Sequence, residues 1–248
     1  MSNVRPTPSH WRRGHLAIAI DGPAASGKSS TAQRVATALG YRHVDSGALY
    51  RAITAAVLRT GVPQHEWEPA WVLEQAARVS LAPADGGFVP CVDGAAAEGE
   101  IRGAAVTATV SAVAQMQIVR AWVNAHVREV ARSHDVVCDG RDMGTAVFPD
   151  AELKVFLVAD PWERARRRLL QSLGREPRDA EVAEETDRLV QRDAADAIQT
   201  VQARDAVLID TTYLTPDQQV ERIVALARTQ RASHPLTPAI GVASIPAP

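Results

Sequence analysis

Residues 16–39 read LAIAIDGPAASGKSSTAQRVATAL, and the fold follows from how that stretch divides. The apolar run 16–20 has the make-up of a buried strand, residues 22–29 fit G-x-x-x-x-G-K-[ST], and residues 30–39 carry Val35 and Leu39 at helical spacing. Strand, glycine loop and helix in that order build a cradle for phosphate. Glycines let the backbone wrap an anion, successive N–H groups point inward, and the helix N-terminus adds positive dipole. The loop residues Gly22, Pro23, Ala24, Ala25, Ser26, Gly27, Lys28, Ser29 and Ser30 are therefore the candidate ATP site. Lys28 is placed to reach the β- and γ-phosphates, and the Ser29 hydroxyl to ligate Mg²⁺. The chain has two lysines in 248 residues. At its own composition the pattern would arise by chance roughly 0.001 times.

Away from the loop, composition excludes more than it identifies. The net charge is -2 and the sequence pI about 6.4, so no general basic field for nucleic acid exists. Cys91 and Cys138 are far apart and form no C-x-x-C pair, which predicts two reduced thiols in a cytoplasmic protein. No apolar stretch reaches the ~20 residues of a membrane span, and residues 1–15 lack a signal-peptide core. One α/β domain, acting as a monomer, is the expectation.

Five β-runs alternate with helical patterns: residues 16–20, 41–45, 135–139, 153–158 and 206–210. They predict a five-stranded, doubly wound parallel sheet with ligands gathered at the carboxyl ends of its strands. Ser46 is read as the cap of a helix over about 47–59, and a further helix is read to hold Trp67 and Trp71. Residues 80–100 change to short alternating, glycine-rich segments and suggest a small hairpin excursion. Residues 104–133 form one or two helices, with His126 in the apolar stripe as a core residue. A helix follows from Pro161 to near Gly174, then a charged segment to about Arg204, then a last helix opened by Thr215 or Asp217. Residues 1–14 and 231–248 read as flexible tails.

Polar clusters fall where the strands end. The segments Asp45-Ser46-Gly47-Ala48-Leu49-Tyr50-Arg51, Glu100-Ile101-Arg102 and Asp139-Gly140-Arg141-Asp142-Met143-Gly144, taken with the phosphate loop, resemble the bacterial cytidylate kinases over residues 18–226. That resemblance implies a P-loop nucleoside monophosphate kinase that passes the γ-phosphoryl of ATP to CMP or dCMP. It implies an insert for the acceptor at about 78–102 and a lid at about 172–204. By resemblance, Ser46, Tyr50, Arg51 and Arg141 surround the acceptor phosphate, Ser111, Arg120 and Asp142 meet the cytosine ring, and Arg192 and Asp196 reach down from the lid. Lys28, Arg51, Arg141 and Arg192 are then the catalytic cations. Asp139 either acts on Mg²⁺ through water or is a structural carboxylate.

One feature departs from that pattern. The family places an arginine a few residues after Asp196, where this chain has Gln199. A phosphate contact worth ~1.5–3 kcal/mol is absent or supplied elsewhere, with Arg204 and the run Arg164-Ala165-Arg166-Arg167-Arg168 as substitutes. Alternatives are a catalytically weakened nucleotide binder and a P-loop kinase of another acceptor. A GTPase is disfavoured because no N-K-x-D segment occurs.

Overall fold

Apolar runs that are buried on both faces pair side by side, and the computed structural model describes this arrangement for residues 15–233. The tails expected at the two ends fall, but for the end of the last helix, outside the described residues. In chain order the elements are β1 (Ala17–Asp21), α1 (Lys28–Leu39), β2 (Arg42–Asp45), α2 (Ser46–Leu58) and α3 (Pro69–Ala76). Next come β3 (Val79–Ala84), β4 (Gly87–Val92), β5 (Ala95–Ala96), α4 (Glu98–Ile101), α5 (Ala104–Ala114) and α6 (Gln117–Ala131). The chain continues through β6 (Val136–Gly140), β7 (Leu153–Val158), α7 (Pro161–Leu173), α8 (Asp179–Asp196), β8 (Val207–Asp210) and α9 (Pro216–Ser233).

The parallel strands run β2-β6-β1-β7-β8, so β1 and the loop that follows it lie at the centre. Alternation along β1 divides the core: Ala17 and Ala19 face a cluster with Val44, Leu49, Ile53 and Phe148, whereas Ile18 and Ile20 face Val35, Val155 and Ile223. Helices cover both faces, as a parallel sheet requires.

Among the described residues the sheet has eight strands where five are expected. The excursion folds as antiparallel β3 and β4 with β5 alongside, and it docks onto β2 through the pair His43↔Gly87. A Cβ on Gly87 would lie 2.6 Å from the His43 carbonyl oxygen, so this junction admits only glycine without a shift.

Two local expectations change. The cap of α2 is Asp45, whose carboxylate accepts from the Ala48 N–H at 3.0 Å, while Ser46 is already helical and its hydroxyl is turned to the end of β6. Trp67 stands before α3 rather than on it, because Pro69 disfavours helix in the residue ahead of it; its indole N–H donates to the Val62 carbonyl at 2.9 Å. Residues 104–133 divide into α5 and α6. On α6, His126 stacks on Trp122, with ring centroids 3.6 Å apart. Thr215 caps α9 through the Gln218 N–H at 3.3 Å, and the Gln218 side chain returns a bond to the Thr215 N–H at 2.9 Å.

Candidate active site

The loop after β1 is shaped by its glycines. Gly22 has φ +149°, and a Cβ there would lie 2.2 Å from the Leu157 carbonyl oxygen. Gly27 caps α1 in the left-handed region, so Lys28 opens the helix whose N-terminus faces the cleft. Lys28 is buried and folded back, its Nζ donating to the Pro23 carbonyl at 2.6 Å. Burial and then the Arg141 guanidinium hold its ammonium well below the usual lysine range, and Asp139, Asp21 and Asp193 oppose them.

The carboxyl ends of β1, β2 and β6 open into a single cleft. It gathers Lys28, Ser29, Ser46, Tyr50, Arg51 and Ser111 with Arg120, Arg141, Asp142, Arg192 and Asp196. Every acceptor and catalytic residue expected from the sequence is thus brought together, from elements 168 positions apart along the chain. Of the loop, Ala24, Ala25, Lys28 and Ser29 line the cleft itself. Gly22, Pro23, Ser26 and Gly27 shape the turn behind them, and the Ser30 hydroxyl faces away to bond the Gly27 carbonyl at 3.0 Å.

At the acceptor end the side chains hold one another. Ser46 donates to the Asp139 carbonyl at 2.8 Å, and Arg51 Nη1 donates to the Ile101 carbonyl at 3.1 Å and to Thr107 at 3.0 Å. Arg120 pairs with Asp142 at 2.5 Å, with both side chains buried, and its guanidinium sits 5.6 Å from the centre of the Tyr50 ring. The Tyr50 hydroxyl is buried and finds no hydrogen-bond partner among the described residues. Arg102, whose place in the quoted motif gave it no role, borders the cleft and pairs with Asp45 at 3.2 Å.

Residues of α8 border the other end. Arg141 donates to the Gly22 carbonyl at 3.2 Å and pairs with Asp196 at 3.3 Å. Asp193 accepts from the Ala24 N–H of the loop at 2.9 Å and from Arg164 at 2.6 Å, while Arg164 also donates to the Ala24 carbonyl at 2.7 Å. This tie between α7, α8 and the loop was not foreseen, since nothing in a basic run marks which arginine is buried. The five-residue run separates into different tasks: Arg166 pairs with Glu163 and Glu176, Arg167 bonds the Thr211 and Thr212 carbonyls, and Arg168 alone of the run borders the cleft, which Gln199 also lines. Arg204 is exposed and does not line it.

Positive charge is crowded here. Burial, followed by the nearby Arg192 and Arg102, pushes the Arg51 guanidinium down to about 10. Arg192 is likewise lowered, by burial and then Arg141, and its Nε is buried without a hydrogen-bond partner among the described residues. Such a set is satisfied by a polyanion.

For a metal, Ser29 donates to Asp139 Oδ2 at 2.5 Å. The described residues contain no group of three or more His, Cys, Asp or Glu that could hold an ion. One hydroxyl and one carboxylate fit Mg²⁺, which keeps its waters and takes substrate phosphates as ligands. Both cysteines are free and buried, and burial pushes the Cys138 thiol far up, so neither is a nucleophile. No helix among the described residues is long and apolar enough to cross a membrane.

Comparison with known proteins agrees with this geometry. The chain is 43% identical over 216 residues to the cytidylate kinase of Geobacillus kaustophilus, covering 85% of this chain and 96% of that one. It is 40% identical over 229 residues to that of Chlorobaculum tepidum, covering 85% and 92%. With that of Streptomyces griseus it shares 39% over 229 residues, covering 89% and 96%. The sequence profile described as cytidylate kinase matches residues 18–229, and with a phosphate loop facing a cationic acceptor pocket across one cleft, the chain belongs to the cytidylate kinase family.

Proposed function

We propose that the chain transfers the γ-phosphoryl group of ATP to CMP or dCMP, giving ADP and CDP or dCDP. The observation that carries this reading is the convergence of Lys28, Arg51, Arg102, Arg141, Arg168 and Arg192 on the gap between the phosphate loop and the acceptor pocket. Burial and then neighbouring guanidiniums lower the proton affinity of Lys28, Arg51 and Arg192, which is wasteful unless phosphates lie between them.

In this reading the loop N–H groups and Lys28 hold the β- and γ-phosphates of ATP, while Ser46, Tyr50, Arg51 and Arg141 hold the acceptor phosphate in line. The Tyr50 hydroxyl gains the partner it lacks. Arg120, fixed by Asp142, and Ser111 present donors and acceptors to the edge of cytosine, so the pair reads the base as a unit. Ser29 would hold Mg²⁺, with Asp139 acting through a metal-bound water. An ion held there would neutralise charge on the nucleotide phosphates. No covalent nucleophile or general base is needed; positioning and charge neutralisation do the chemistry, and closure of α8 excludes water.

Coupled ADP release tests the proposal, with MgATP and CMP, dCMP, UMP, AMP or shikimate at matched concentration. ADP made chiefly with CMP and dCMP is the expected outcome. Preference for another acceptor overturns the specificity, and ATP binding without ADP from any acceptor leaves a nucleotide binder on this fold.

A further inference from the structure

Asp139 is almost wholly buried at the end of β6, and each of its carboxylate oxygens has one side-chain partner. Ser29 of the loop donates to Oδ2 at 2.5 Å, and His43 Nε2 lies 2.7 Å from Oδ1. His43 sits on β2 two residues before Asp45, on the same strand face, and β2 pairs with β6 in register His43↔Val137 and Asp45↔Asp139. Its side chain is 15% exposed, and that of Asp139 3%. The Asp45 carboxylate faces Asp139 as a like charge, balanced by Arg102 at 3.2 Å. A buried carboxylate beside another one turns about a broad terminal torsion unless both oxygens are held.

We propose that His43 is a positioning residue for the metal-nucleotide site. Its Nε2–H fixes Oδ1, so Oδ2 stays aimed at Ser29 and keeps that hydroxyl's lone pairs directed into the cleft, where a nucleotide-bound cation takes them. The backbone makes the anchor stiff. The His43 N–H donates to the Gly86 carbonyl at 2.9 Å, and the His43↔Gly87 pair is where the excursion joins β2. His43 is therefore clamped between β6 and β4, and its ring has a fixed base from which to hold Asp139. The proposal rests on the reading of the loop as an ATP site and is independent of which acceptor the enzyme takes.

Calorimetric titration of the full chain with ATP, in excess Mg²⁺ and again in EDTA, separates this role from a merely structural one. His43→Phe should weaken MgATP binding about tenfold or more, the usual effect of removing a partner that orients a metal ligand, and alter metal-free ATP binding less than about twofold. His43→Gln, whose amide Nε2–H reaches a similar point, should recover most of the loss. Equal losses with and without Mg²⁺, no loss in either, or a Gln variant no better than Phe would each overturn the proposal. Should the Phe variant fail to fold, His43→Leu against His43→Gln gives the same comparison. Wild-type protein that binds no ATP in either condition sinks the nucleotide reading and this proposal together. Wild type that binds MgATP yet phosphorylates no acceptor sinks only the proposed reaction.

Discussion

Removing the Asp142 carboxylate should do two separable things. In Asp142→Ala the Arg120 guanidinium, buried against Tyr50, keeps only its bond to the Ala114 carbonyl at 3.0 Å. Breaking one side of a buried ion pair costs about 3–5 kcal/mol, against total stabilities of about 5–15 kcal/mol. For a chain of this length each kcal/mol is worth about 2–4 °C, so Tm should fall by about 10 °C. The double variant Arg120→Met with Asp142→Ala should recover much of that loss, because a buried pair replaced by apolar groups is often close to neutral. Thermal unfolding of the two single variants and the double variant measures the coupling. A Tm loss below about 3 °C in the single variant, or strictly additive losses in the double, would refute the claim that the charge on Arg120 is balanced here. In the folded variant, kcat/KM for CMP relative to UMP should fall toward equality. An unchanged ratio would remove Asp142 from base recognition.

Further expectations concern the loop and the lid. Lys28→Ala should lower kcat by about 10²-fold or more while leaving Tm nearly unchanged, since the buried ammonium is already held at a cost; near-wild-type turnover would remove the phosphate-loop assignment. Arg168→Met should slow turnover about tenfold, and adding Gln199→Arg should restore part of it by returning a cation to the same wall; full activity in Arg168→Met would show that pairing with Glu185 at 3.0 Å is all Arg168 does. Asp193→Ala removes the carboxylate that Arg164 and the Ala24 N–H share, so limited proteolysis should cut residues 197–204 faster than in wild type, and an unchanged cleavage rate would disprove the tie. Burial raises the Asp21 carboxyl to about 6, against two backbone donors at Met143 and Gly144 that pull it down. The folded state thus holds that proton more tightly than the unfolded chain, and the stability Asp21 contributes is full below about pH 4 and declines by about 3 kcal/mol as pH rises through 6. A carboxyl ¹³C titration should show its midpoint near 6, and a midpoint near 4 would contradict the burial argument.

Much of this fold was legible because its signals are local. All five parallel strands lie where the apolar runs place them, and Gly40 and Gly174 stop α1 and α7 in the left-handed conformation that such a position favours. The chemistry of the cleft was legible for a related reason: in a doubly wound sheet the loops after the strands converge, so Ser46, Arg51, Arg141 and Asp142 needed only their strand ends to be located. Partner choice was not legible. His43 and Asp139 are 96 residues apart and meet only because β2 and β6 are neighbours in the sheet, which no periodicity announces. The arginine run failed for another reason. A helix turns successive side chains by about 100°, so adjacent arginines face a buried tie, a surface pair, a strand end and the cleft in turn, and residue type alone cannot sort them.

Carboxylates in and beside the cleft balance the cations that converge on it. Asp196 balances Arg141, Asp193 occupies the Ala24 N–H, and Glu185 holds Arg168, so each anion stands where phosphate charge would otherwise be needed. They are unequal. Asp193 sits in tight contacts of 2.9 and 2.6 Å that tie α8 to the loop and to α7. The Arg141 to Asp196 contact places two nitrogens 3.3 Å from one oxygen, longer than the ~2.7–2.9 Å of a strong charge-assisted bond. A phosphate carrying more charge, and able to take both nitrogens on separate oxygens, outcompetes it. A ligand phosphate is therefore expected to displace Asp196 from Arg141 before it displaces Asp193 from the Ala24 N–H, because the weaker contact yields first.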